Sequence, residues 1–135
     1  MSEEHVQAFK RGFEAGTRFD VEAVLEELHP RVEWHPLLAT ELEAEATVYR
    51  GHEGVREWLR DLEEAFAESH MEFPEIRDLG DRIVAIGRLR ARGRESGAET
   101  VTPIAYVVDY KDGKAIRVRS YLDSEEALEA AGLRE

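Results

Sequence analysis

The chain has no cysteine, which excludes disulfides and thiolate metal sites outright. Its histidines, His5, His29, His35, His52 and His70, are scattered, and no pair has the H-x-x-x-H or H-E-x-x-H spacing of a helical metal site. Gly51-His52-Glu53-Gly54 lacks the lysine and hydroxyl of a phosphate-binding loop. The expectation is therefore a protein with no metal and no cofactor. Basic side chains are few, 18 against 30 acidic ones, and the formal charge is −12. Such a surface repels nucleic acid and anionic membranes, so neither is expected as a partner. No apolar run approaches the roughly 18 residues of a membrane span. The N-terminal stretch MSEEHVQAFKRGFEAG also lacks the cationic start and apolar core of a signal peptide, which points to the cytoplasm.

What is present suits one folded domain. Over 135 residues, 42% are hydrophobic and 36% charged, enough for a real core under a soluble surface. Val6, Phe9 and Phe13 recur at helical spacing up to Gly16. Asp20 then caps a second helix with an apolar stripe of Val21, Val24, Leu25 and Leu28, stopped at His29-Pro30. Residues 31–36 alternate as a short strand. Residues 37–50 fit no single period and read as a mobile loop or short helix. Gly51 opens the strongest helix, with Val55, Trp58, Leu59, Leu62 and Phe66 on one face. Strands are predicted over 70–79, 82–92, 100–110 and 115–122, with turns at Gly80-Asp81, 93–97 and 111–114. A last helix over 124–131 ends at Gly132.

The order α-α-β-α-β-β-β-β, with helices before a run of antiparallel strands, defines an α+β class. Several stretches, in this order, resemble the nuclear transport factor 2-like superfamily. They are Phe13-Glu14-Ala15-Gly16, residues 28–36 (LHPRVEWHP), residues 49–56 (YRGHEGVR), residues 78–82 (DLGDR), Asp112-Gly113-Lys114, Tyr121-Leu122-Asp123 and Glu126-Ala127-Leu128. Within that superfamily they resemble the SnoaL-like polyketide cyclase and ketosteroid isomerase-related group. The resemblance covers nearly the whole chain and implies a single SnoaL-like domain over 1–135. It implies a cone-shaped curved antiparallel sheet wrapped by three N-terminal helices, enclosing a pocket for a small organic molecule. A homodimer through the sheet is also implied. Relatives range from isomerases, cyclases, dehydratases and epoxide hydrolases to binding proteins without chemistry, so the activity has to be argued from the site.

Laid on the steroid-isomerase pattern, Phe9 takes the tyrosine position, Ala105 the acid position, and His35 or Pro36 the general-base position. Both oxyanion donors are then missing, at about 3–4 kcal/mol each, which argues against that mechanism. The cyclase pattern puts an acid/base aspartate at Asp123, a residue that also reads as the N-cap of the last helix. His35 is the second candidate base, since imidazole titrates near neutrality. Strand alternation, however, sets Glu33 and His35 opposite Val32 and Trp34. Val84, Ile86, Arg88, Arg90 and Arg92 share one strand side, and the superfamily pattern turns that side into the concave face. Ile86 would then line the deep end, with Arg88 and Arg90 near the mouth meeting an anionic or carbonyl head. Internal pairing of the arginines is the alternative. Phe13, Trp34, Tyr49 and Trp58 are the expected apolar wall. Ile104, Tyr106, Val108 and Tyr110 would form an outer apolar surface for a second copy. The expected function is small-molecule binding with acid/base isomerisation, cyclisation or dehydration, or else non-catalytic binding.

Overall fold

The computed structural model describes residues 2–35 and 48–132. Helix α1 spans Ser2–Thr17 and α2 spans Val21–Glu26. Gly16 lies inside α1 rather than ending it; the chain reverses at Phe19, whose φ of 56° is left-handed. Asp20 caps α2 as predicted, its carboxylate accepting from Ala23 N at 3.3 Å.

Strand β1, Leu28–His35, starts earlier than the alternation indicated and takes in His29-Pro30. Proline is tolerated there because β1 pairs with its neighbour at Leu28 and again only from Glu33. The predicted loop or short helix over 37–50 lies outside the described residues except at its end, where Tyr49–Arg50 form the short strand β2. Helix α3, Gly51–Ala65, begins at a glycine with φ 71° and runs straight into β3, Phe66–Asp78. Phe66 is thus the first strand residue, not the last of the helical stripe. Strands β4 (Arg82–Gly93), β5 (Glu99–Lys111) and β6 (Lys114–Tyr121) follow, and α4 covers Ser124–Ala130. Asp112 and Gly113, with φ 56° and 78°, make the tight hairpin turn whose twist matches the strands it joins.

The six strands form one open curved sheet in the order β2-β1-β6-β5-β4-β3. All neighbours are antiparallel except β1 and β6, which run parallel. Gly87 supports the bend on the β3 side. The register of β3 on β4 breaks between Glu72 and Glu75, and a Cβ at Gly87 would lie 1.7 Å from the Glu72 carbonyl oxygen.

Each sheet face carries its own apolar cluster. Helices α1, α2 and α3 pack on the concave face, over Val32 and Trp34 of β1, Ile83 and Ala85 of β4, and Ile104, Tyr106, Val108 and Tyr110 of β5. The outer face holds Val84, Ile86, Ala105 and Val107 beneath Ala127, Leu128 and Ala131 of the C-terminal helical segment. This inverts the predicted facing of β4 and β5. Ile86 and Ala105 lie outside, and the β5 set expected to need a partner's cover is covered by the chain's own helices. Both sides of β4 are apolar near its start, so alternation gave the period but not its sign.

Candidate functional site

Between the helices and the concave face lies a cavity of about 50 Å³. Helix α1 contributes Phe9, Gly12, Phe13 and Gly16, one stripe at helical spacing. Helix α3 presents Trp58, Leu59 and Leu62, and the sheet closes the floor with Trp34, Met71, Val108 and Val118. Aromatic rings tie the wall together. Trp34 and Trp58 stand 4.6 Å apart, Phe9 and Phe13 4.5 Å, and Phe13 and Tyr106 4.7 Å.

The polar lining is sparse: Thr17, Glu27, Ser69 and Tyr110. Thr17 spends its hydroxyl on the Phe13 carbonyl at 3.1 Å. Arg11 holds both oxygens of Glu27, with Nε donating at 3.0 Å and Nη2 at 3.2 Å. Tyr110 stacks on His5 with ring centres 4.3 Å apart. Burial raises the Tyr110 phenol above its ordinary pKa, the Glu27 charge adds to the rise, and Arg11 opposes it. Tyr110 therefore stays a neutral hydroxyl.

Three predicted wall residues, Phe13, Trp34 and Trp58, line the cavity. Tyr49 packs on the edge of the same core, beside Gly54, and is not a lining residue. Ile86 is on the outer face under α4. Arg88 is exposed on that side and bonds Glu72 at 3.0 Å, and Arg90, two residues along β4, is exposed as well. Neither arginine can meet a molecule in the cavity, since the sheet stands between them. His35 turns away from the cavity, with Nε2 3.4 Å from Glu33 Oε1. The same carboxyl bonds Arg50 at 3.1 Å. The His35 hydrogen bond and then the Arg50 bond lower the Glu33 pKa against burial, and the charges of Arg50 and Arg117 add to this. Asp123 is exposed at the start of α4 and accepts from Glu125 N at 2.8 Å, which is the cap geometry. Pro36, the alternative base position, lies outside the described residues.

Sequence reasoning missed Glu27, Ser69 and Tyr110. Tyr110 carried a usable signal. On β5 the bulky set Ile104, Tyr106, Val108 and Tyr110 faces the three N-terminal helices, while the smaller Ala105 and Val107 fit under the single helix α4. Glu27 and Ser69 carried none, because their facing depends on how α2 and β3 dock. Among the described residues no group of His, Asp and Glu is arranged to hold a metal ion.

A curved sheet closed by helices over an apolar cavity is the architecture of a nuclear transport factor 2-like protein. Several solved structures share it. An NTF2-like protein of unknown function from Burkholderia pseudomallei superimposes with a TM-score of 0.78 at 24% identity, over 93% of this chain and 95% of that one. TerC, co-crystallised with polyporic acid, matches at 0.76 and 24% identity over 93% and 96%. A protein of ketosteroid isomerase-like fold from Catenulispora acidiphila, in complex with trimethylamine, matches at 0.74 and 13% over 93% and 92%. No functionally curated protein matches in sequence. The SnoaL-like domain model matches residues 6–118, and the chain belongs to that family.

Proposed function

We propose that this chain binds a small, largely apolar organic molecule in the concave cavity. The observation that carries this reading is the wall itself: Phe13, Trp34 and Trp58 border empty space on the face that three helices cover. Two proteins of the same fold were crystallised with small molecules, polyporic acid and trimethylamine, which supports the same use here. Arg88 and Arg90 lie behind the sheet and Arg11 is paired with Glu27, so among the described residues an anionic head group would find no unpaired cation at the cavity wall. A buried anion without a partner costs several kcal/mol, and the ligand is therefore neutral.

Binding without chemistry is favoured over acid/base catalysis. Asp123 and His35 lie away from the cavity, and Glu27, the one carboxylate among the described residues that lines it, is clamped on both oxygens by Arg11. The test uses the chain's only two tryptophans, both of which border the cavity. Titration with 1-tetralone, a neutral bicyclic ketone, should shift both indole N–H resonances in NMR spectra. Trp58→Ala should weaken binding by about tenfold, the usual cost of losing an aromatic anchor. Indole resonances that stay in place at saturating ketone would reject the proposal.

A further inference from the structure

Ser69, like Tyr110, brings to the cavity a hydroxyl that has no hydrogen-bond partner among the described residues. Ser69 is 8% exposed and is the one buried polar residue among those described. It lines the cavity together with Met71, two residues further along β3. Its hydroxyl makes no hydrogen bond to any described residue. Trp34 Nε1, which also lacks a partner, is sealed among packed side chains, whereas Ser69 Oγ is not among the sealed atoms and Ser69 lines the cavity. A buried hydroxyl is costly unless it is hydrogen-bonded, so water or a ligand in the cavity would supply its partner.

The register shows where in the cavity this happens. Ser69 pairs with Ala91, which pairs with Thr100 of β5. Tyr110 lies ten residues further along β5, about 33 Å on an unbent strand at ~3.3 Å per residue. By register, then, Ser69 lies toward one end of β5 and Tyr110 at the other.

We infer that Ser69 is the hydrogen-bonding anchor of the ligand site, selecting molecules with an apolar ring body and a neutral carbonyl or hydroxyl oxygen at that end. The inference rests on the cavity being a ligand site. Charge supports a neutral oxygen, because among the described residues no lysine or arginine lines the cavity and the Glu27 carboxylate is already paired with Arg11.

The experiment compares 1-tetralone with tetralin, which has the same two rings and a CH₂ in place of the carbonyl. Affinities are read from the indole resonances in the native chain and in Ser69→Ala. The substitution should weaken 1-tetralone by about fivefold and tetralin by less than about twofold. Without ligand, the melting temperature of Ser69→Ala should stay level or rise, since a partnerless hydroxyl has been removed. Equal effects on the two compounds would overturn the role of Ser69 and leave the cavity as a ligand site. A fall in melting temperature would mark the hydroxyl as structural and likewise overturn it. Failure of both compounds to bind the native chain would reject the ligand site, and the anchor with it.

Discussion

Gly87→Ala puts the origin of the sheet's bend to the test. In an ordinary strand this change is mildly favourable, by about 0.5–1 kcal/mol, because alanine loses less backbone freedom than glycine. Here the new Cβ would sit 1.7 Å from the Glu72 carbonyl oxygen, 2.7 Å from its carbon and 2.9 Å from Phe73 Cα. An ordinary carbon–oxygen contact is about 3.3 Å, so the strands must part by about 1.6 Å. All three atoms are backbone, and no rotamer change relieves the clash. Strand β3 is an edge strand whose one sheet partner among the described residues is β4, so it moves outward at the bulge. Overpacking of this kind costs about 1–3 kcal/mol, and about two lost ladder bonds add about 1 kcal/mol each. The expected loss is about 3–5 kcal/mol, or about 10–15 °C in melting temperature for a domain of this size. Because β3 carries Ser69 and Met71, affinity for 1-tetralone should fall as well. Thermal and urea unfolding followed by circular dichroism would measure the loss. A melting temperature within about 2 °C of the native value would refute the view that this close approach shapes the sheet.

Three further expectations follow from the same geometry. Burial raises the phenol pKa of both Tyr106 and Tyr110 above 10.0, so they ionise in the unfolded chain before the native one. Their contribution is complete below about pH 10 and is lost as pH rises past it, by about 1.4 kcal/mol per pH unit for each tyrosine. Urea midpoints from about pH 9 to about pH 11 should therefore fall less steeply in Tyr110→Phe than in the native chain, and equal slopes would contradict this. Asp123→Ala should cost about 1 kcal/mol by removing the α4 cap, with 1-tetralone affinity unchanged; lost affinity would return Asp123 to the site. Arg88→Leu breaks only an exposed pair with Glu72 and should change stability by less than about 1 kcal/mol and binding not at all, as calorimetry can establish.

Much of the architecture is legible along the chain because the signals behind it are local. The apolar stripe Val55, Trp58, Leu59, Leu62 marks α3 by its own spacing, and Asp20 and Asp123 mark helix starts through bonds to the adjoining turn. The Asp112-Gly113 turn is equally local, since its positive φ values are properties of those two residues. The Phe13, Trp34 and Trp58 wall also reads through, because large aromatics at those spacings have few other places to go. The facing of β4 and β5 does not. Alternation specifies two sets of residues, and nothing within a strand says which set lies under α1–α3 and which under α4. Val84 and Ile86 are as apolar as Ile83 and Ala85, so each set suits a core, and only the docking of four helices on the two sheet faces assigned them. That assignment sent Arg88 and Arg90 to the outer surface and turned Tyr110 inward. Glu27 and Ser69 likewise became cavity residues only through contacts between distant segments. The elements and most of their limits can be read along the chain, because their causes lie within a few residues. The tertiary structure alone decided which side chains share the cavity, because that depends on the sign of each strand's alternation, and packing sets that sign.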